Sequence, residues 1–149
     1  MTARSNPVGP NPARLWEAPL LLRILWAHET AGARPWHTDA ALMLRLIRAG
    51  AVRVLRDARG PVAFIARQGP VVLALYVHPR RQGRGHGSAL LEDAKGRCPQ
   101  LELWTLQDNI PARRFYAGHG FVEIARGRGL GNDADLPDIH LAWQKECAA

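Results

Sequence analysis

Residues 71–91 read Val71-Val72-Leu73-Ala74-Leu75-Tyr76-Val77-His78-Pro79-Arg80-Arg81-Gln82-Gly83-Arg84-Gly85-His86-Gly87-Ser88-Ala89-Leu90-Leu91, and this stretch decides the fold. Its first seven residues carry no charge, the pattern of a central strand covered on both faces. Gly83, Gly85 and Gly87 follow at alternate positions and lead into a helix. That helix turns Leu90, Leu91 and Ala94 inward and Glu92, Asp93, Lys95 and Arg97 outward, and Pro99 ends it. A buried strand, a glycine turn and a helix in this order make a backbone cradle for anions. Glycine removes the side chains that would block close approach. The N–H groups of the first helical turn lack internal partners and, with the helix dipole, favour a diphosphate. Arg80, Arg81 and Arg84 add positive charge nearby. A flexible glycine-rich turn accounts for the same residues. A P-loop does not, because no Lys-Ser or Lys-Thr follows. A dinucleotide fingerprint fails as well: Glu102 stands near the expected acidic position, but the third glycine is misplaced.

Upstream, Met1–Ala13 is rich in Pro and Asn, has no period and reads as an arm. Residues 1–14 are expected to be flexible and 15–145 to form a single domain. Leu21, Leu22, Leu25 and Trp26 recur at helical spacing between Leu15 and Ala31. Thr38 and Asp39 are N-cap types for a second helix that Gly50 ends. Val52–Arg56 and Val62–Ala66 read as a hairpin around Arg59-Gly60. Downstream, Leu101–Trp104 is a short strand. Asp108-Asn109 caps a helix with Pro111 in its first turn and Ala112, Phe115, Tyr116 and His119 on one face. Phe121–Ala125 and Ile139–Trp143 are the last strands, joined by a long Gly/Asp-rich loop. The order gives a mixed α/β layer architecture with helices packed on a sheet.

The 149 residues suit one domain that buries a core without staples. The formal charge of +7, mostly from arginine, attracts anions in general and does not choose among nucleic acid, membrane and phosphorylated cofactors. No basic patch interleaved with aromatics favours nucleic acid, which is not the expected partner. Cys98 and Cys147 form no CxxC pair, and no His/Cys cluster has metal-ligand spacing, so no metal is expected. Two reduced thiols without a signal peptide fit a cytoplasmic protein. The most apolar stretch, Ala18–Ala27, is broken by Arg23 and too short to span a bilayer.

The segment Val77-x-Pro79-x-x-Gln82-Gly83-Arg84-Gly85-His86-Gly87-x-x-Leu90-Leu91 resembles the acetyl-CoA signature of GNAT N-acetyltransferases, Gln/Arg-x-x-Gly-x-Gly/Ala. A second block, Asn109-x-x-Ala112-x-x-Phe115-Tyr116-x-x-x-Gly120-Phe121, is similar to the family's asparagine-to-Phe-Tyr helix. Residues 131–138 resemble a segment of small bacterial members. The resemblance implies the GNAT acyl-CoA N-acyltransferase fold: a central, mostly antiparallel sheet of about six strands flanked by helices. The usual first strand is not visible ahead of the first helix; either the sheet is one strand short or the arm supplies an irregular one.

The resemblance further implies transfer of an acetyl group from acetyl-CoA to the primary amine of a small-molecule, peptide or protein acceptor, with no metal. Backbone N–H groups of Gln82, Gly83, Arg84, Gly85, His86 and Gly87, with Ser88 beside them, are expected to hold the pyrophosphate. Backbone groups of Leu75 and Val77 pair with the pantetheine arm, and a free N–H there steadies the oxyanion. Tyr116 protonates the departing thiolate, and Asn109 caps its helix and touches the cofactor. The central strand lacks the carboxylate base many relatives carry, so His78, Asp133 and Asp138 are the candidates for that role. His119 reads as a partner of the helix dipole, and Trp36 as a residue bordering the acceptor. A homodimer is an expectation, since dimers are common among relatives. Two other readings remain: an acyl-CoA-binding protein with little turnover, and an acetyltransferase acting on a nucleic-acid-linked acceptor.

Overall fold

In a computed structural model, residues 9–28, 36–128 and 136–145 are described. The chain runs β1 (Asn11–Pro12), a 3-10 turn (Leu15–Glu17), α1 (Ala18–His28), α2 (Trp36–Arg48), β2 (Val52–Asp57), β3 (Gly60–Gln68) and β4 (Val71–Val77). A second 3-10 turn (Pro79–Arg81), α3 (His86–Arg97), β5 (Gln100–Leu106), α4 (Ile110–Gly118), β6 (Val122–Gly127) and β7 (Asp138–Gln144) follow. The strands form one seven-stranded sheet in the order β1-β2-β3-β4-β5-β7-β6, antiparallel except between β4 and β5.

The seventh strand comes from the arm. Asn11 and Pro12 pair with Val54 and Arg53 at the sheet edge, a position where proline's missing N–H costs no ladder bond. Arginines fix this segment. Arg56 donates to Pro12 O and, through Nε and Nη2 at 2.7 Å each, to both oxygens of the fully buried Glu17. Arg53 donates to Pro10 O and to Asp93 on α3. Burial works to raise the Glu17 carboxyl, but the bonds from Arg56 and from the Arg14 N–H outweigh it and hold the group below its ordinary pKa.

Helices cover the two faces with two cores. On one, Leu21, Leu22, Ile24 and Leu25 of α1 and Met43, Leu46 and Ile47 of α2 close over Val52, Val54 and Phe64. On the other, Leu90, Leu91 and Ala94 of α3 and Tyr116 of α4 close over Val62, Ile65, Val72, Leu101 and Leu103. Leu90 and Leu91 are fully buried, so the inward face expected of α3 is the one observed. Truncating either to alanine costs about 2–5 kcal/mol.

Two local expectations change. The helix expected to start at Thr38 starts at Trp36, and Asp39 is no cap: it is buried, and its carboxylate accepts the Trp26 indole N–H at 2.8 Å. β4 is central but not covered on both faces. Only Val72 is buried, and Leu73 is 45% exposed. The register against β3 steps from Ala66↔Ala74 to Arg67↔Val72, which makes Leu73 an unpaired bulge residue. No helix among the described residues is long and apolar enough to cross a membrane.

Candidate active site

β4 and β5 touch at one end and then part. Their ladder is a single bridge, Val71↔Glu102, joined by the Glu102 N–H donating to Pro70 O. Beyond it the strands splay, and a cleft of about 890 Å³ opens between them and runs to the start of α3. Strand alternation sets what faces it. His78 N–H donates to Val62 O, so residues 78 and 76 spend their backbone groups on β3. Leu75 and Val77 therefore aim theirs at the gap that β5 has vacated.

The glycine turn forms the far wall. Gly83 and Gly85 adopt φ of +78° and +83°, the left-handed region where a Cβ is strained. Gly85 is the N-cap of α3 and supplies no side-chain cap bond. The first bond closing the helix is Ala89 N–H to Gly85 O, which leaves the N–H groups of His86, Gly87 and Ser88 without a helical acceptor. Gly87 sits 3.4 Å, measured from where its Cβ would stand, from the Phe115 ring, so the turn lies directly on α4.

Of the residues expected to touch the cofactor, Leu75, Val77, Gln82, Gly83, Gly85, His86, Gly87, Ser88, Asn109 and Tyr116 all line this one cleft. Arg84 is exposed and lies outside its lining. Arg81 is engaged elsewhere, 3.1 Å from Asp57. Asn109 Oδ1 accepts the Ala112 N–H at 3.2 Å, so it does cap α4. Tyr116 is 8% exposed, and burial, reinforced by the nearby Tyr76 hydroxyl, pushes its phenol above the ordinary value. It is therefore a protonated donor at any physiological pH.

The proton acceptors suggested by sequence fare differently. His78 is outside the cleft lining, and its Nδ1 accepts the Arg80 N–H at 3.1 Å as a local cap. Asp138 opens β7 between Leu106 and Gly127 and is not among the residues that line the cleft. Asp133 lies outside the described residues. His119 does sit at the end of α4, but its ring bonds two side chains of α3 rather than the helix carbonyls. Trp36 is 68% exposed at the start of α2.

His28 was not singled out from sequence. At the last residue of α1, it reaches the cleft from the α1–α2 side. Its Nε2 stands 2.8 Å from Val77 O, and the ring stacks on Tyr76 with centroids 5.3 Å apart. A carbonyl only accepts, so Nε2 carries the proton, and in the neutral ring Nδ1 keeps its lone pair. No sequence signal marks it, because the contact spans 49 positions of chain. Trp104, which stacks on His140 at 4.5 Å, also lines the cleft without having been expected there, as do Tyr76, Thr105, Leu106, Pro111, Ala112 and Phe115.

The sequence profile described as "Acetyltransferase (GNAT) domain" matches residues 46–123, more than half of the chain and all of the splay, turn and α4. The chain belongs to the GNAT family of acetyltransferases. This acetyltransferase is 30% identical over 122 residues to the peptidyl-lysine N-acetyltransferase YiaC of Escherichia coli K12, an alignment covering 79% of this chain and 81% of YiaC. Its fold is that of Ard1 from Thermoplasma volcanium, with a TM-score of 0.77, 22% identity and coverage of 93% and 97% of the two chains. A chain in the crystal structure of the NatC complex bound to Gag peptide and CoA superposes with a TM-score of 0.73 at 15% identity, covering 92% of this chain and 98% of that one. The mixed α/β architecture and mostly antiparallel sheet expected from the motifs are those found. The sheet has seven strands rather than about six, because the arm adds one. Among the described residues no group of three or more His, Cys, Asp or Glu could hold a metal.

Proposed function

We propose that this acetyltransferase moves the acetyl group of acetyl-CoA onto a primary amine presented by a peptide or protein, a lysine side chain being the leading candidate. The observation that carries it is the single-bridge splay of β4 and β5, which opens one cleft onto both a free strand edge and the start of α3. The acceptor class draws support from the name of the YiaC relative. The cofactor draws support from the CoA bound in the NatC structure.

The N–H groups of His86, Gly87 and Ser88 and the turn before them bind the diphosphate. Backbone groups of Leu75 and Val77 pair with the pantetheine amides, and an N–H in the splay donates to the carbonyl oxygen as negative charge develops there. Tyr116 gives its proton to the sulfur as the thiolate leaves; a positioned acid of this kind contributes about 10²–10⁴-fold. On the α1 side, His28 Nδ1 takes the proton of the attacking amine while its Nε2–H stays on Val77 O.

The test uses acetyl-CoA with a lysine-containing peptide library, reading free thiol and peptide mass. Acetylated peptide together with thiol release is expected. A thermal shift with coenzyme A but no transfer to any peptide would replace the peptide acceptor by a small-molecule amine or a binding function. No response to millimolar coenzyme A would overturn the assignment.

A further inference from the structure

Ser88, His119 and Glu92 form a continuous hydrogen-bonded line at the diphosphate end of the cleft. Ser88 is in the first turn of α3 and lines the cleft. Its Oγ is 3.0 Å from His119 Nε2, and His119 Nδ1 is 2.9 Å from Glu92 Oε2. Ser88 and Glu92 are i and i+4 on one face of α3, and the ring of His119 bridges to them from the end of α4. Phe115 packs on that ring with centroids 4.7 Å apart.

The proton positions follow from the chemistry of the partners. A carboxylate only accepts, so Nδ1 carries a proton. The Glu92 carboxyl is held below its ordinary pKa by this bond, against the opposing effect of burial and with help from Lys95, so it stays ionised near neutrality. Nε2 is then the variable atom. In the neutral ring it accepts the Ser88 O–H, which turns the hydroxyl proton away from the cleft and leaves oxygen lone pairs facing the ligand. In the imidazolium, Nε2–H donates to Ser88 Oγ, and the Ser88 proton is released to donate into the cleft.

We propose that Ser88, His119 and Glu92 are a proton-coupled relay that sets whether the diphosphate site presents a donor or an acceptor, so that coenzyme A binds with uptake of a proton at His119. His119 and Glu92 are positioning residues and Ser88 is the group that touches the phosphate. The inference rests on the reading that the diphosphate of coenzyme A lies at the start of α3.

Two charged groups of α3 contact His119, Glu92 at the ring and Lys95 at the backbone carbonyl. Glu92 favours the imidazolium. The Lys95 ammonium opposes it, but is 3.3 Å from the Glu92 carboxylate, donates to His119 O and lies 4.9 Å over the Trp143 ring of β7. Binding an anion to the released Ser88 donor is a charge-assisted hydrogen bond, which changes affinity by about tenfold or more.

The experiment is calorimetric titration of the full chain with coenzyme A at about pH 6 and about pH 8, each in two buffers of different ionisation enthalpy. The ionisation of coenzyme A itself is common to all proteins and cancels in the comparison. The wild type is expected to take up more proton than Ser88→Ala or His119→Gln, and to tighten by about tenfold more than either on acidification. Ser88→Ala removes one hydroxyl and keeps the fold if the His119 variant does not. In the free wild type, imidazole ¹⁵N spectra at high pH should show His119 protonated at Nδ1 alone. Equal proton uptake and equal pH slopes in wild type and Ser88→Ala would overturn the relay while leaving the cofactor assignment standing. A wild type that gives no heat at either pH would overturn both.

Discussion

Replacing Gly85 by alanine separates backbone strain from cofactor binding. Gly85 has φ +83°, and nothing lies within 4 Å of the point where a Cβ would stand, so the substitution meets no steric clash. Its folding cost is the left-handed penalty of about 1–2 kcal/mol, less about 0.4–1 kcal/mol regained from a stiffer unfolded chain. The net is about 0–1.6 kcal/mol, and each 1 kcal/mol lowers Tm by about 2–4 °C for a chain of this size. Gly69, in the turn between β3 and β4, is a matched control: its φ is +56°, its Cβ position is equally open, and it is outside the cleft lining. Gly69→Ala should therefore lower Tm by a similar amount. Coenzyme A distinguishes the two. If the turn opens α3 toward a diphosphate, a shift at Gly85 loses at least one hydrogen bond to a charged group, about 1.5–3 kcal/mol, and Kd rises tenfold or more. Thermal melts and calorimetry on both variants supply the numbers. A Gly85→Ala protein that binds coenzyme A as tightly as Gly69→Ala would refute the cradle, whatever its Tm.

Tyr116→Phe removes a hydroxyl from a buried ring and should lower kcat about 100-fold or more with Tm and the coenzyme A Kd nearly unchanged; an unaltered kcat takes Tyr116 out of the reaction. His28→Gln keeps a donor for Val77 O but has no basic nitrogen, so steady-state kinetics should show slower transfer with cofactor binding retained; an unaltered kcat takes His28 out of the reaction. Glu17→Gln leaves Arg56 facing a neutral group in a buried setting and should cost about 3 kcal/mol, read by urea unfolding; a loss within 0.5 kcal/mol, about the surface-substitution range, would mean the pair is dispensable. Because the folded-state pKa of Glu17 is lowered, its contribution is complete above the unfolded-state carboxylate pKa and disappears as pH falls through the folded value. The stability gap between wild type and Glu17→Gln should therefore shrink on acidification below the ordinary carboxylate range.

The elements that a local signal specifies were legible in the sequence. Leu90, Leu91 and Ala94 announce the buried face of α3, and Asn109 with Pro111 announces the start of α4, because caps and periodicity are written within a few residues. The cleft residues on the glycine turn were legible for the same reason. What was not legible depends on distant pairing. His28 reaches Val77 across the sheet, and His119 meets Ser88 and Glu92 only once α4 packs on α3. Of the two alternatives for the first strand, the arm supplying an irregular one is the one found; its two residues carry no alternation that could place it, and it is held by the reach of Arg53 and Arg56. Arg53, Arg56, Arg81, Arg97 and Arg126 each pair with a carboxylate, the first and fourth sharing Asp93, and such pairs leave the net charge of +7 unchanged.

The uncharged run of β4 has a cause other than burial on both faces. Val72 packs with the α3 core, whereas Ala74 and Tyr76 pack toward the α1–α2 core. Residues 72 and 74 would share a face in a regular strand, so the bulge at Leu73 turns the strand over between them. After the bulge, Leu75 and Val77 face the α3–α4 side, and their backbone groups face the splay. A strand that changes which core it serves needs apolar residues on both sides of the bulge, Val72 before it and Ala74 and Leu75 after it. If the argument holds, Leu73→Asp, at the exposed bulge, should be tolerated, whereas Leu75→Asp should unfold the chain or abolish coenzyme A binding; thermal melts that rank the two in the opposite order would show that the bulge does not divide the strand in this way.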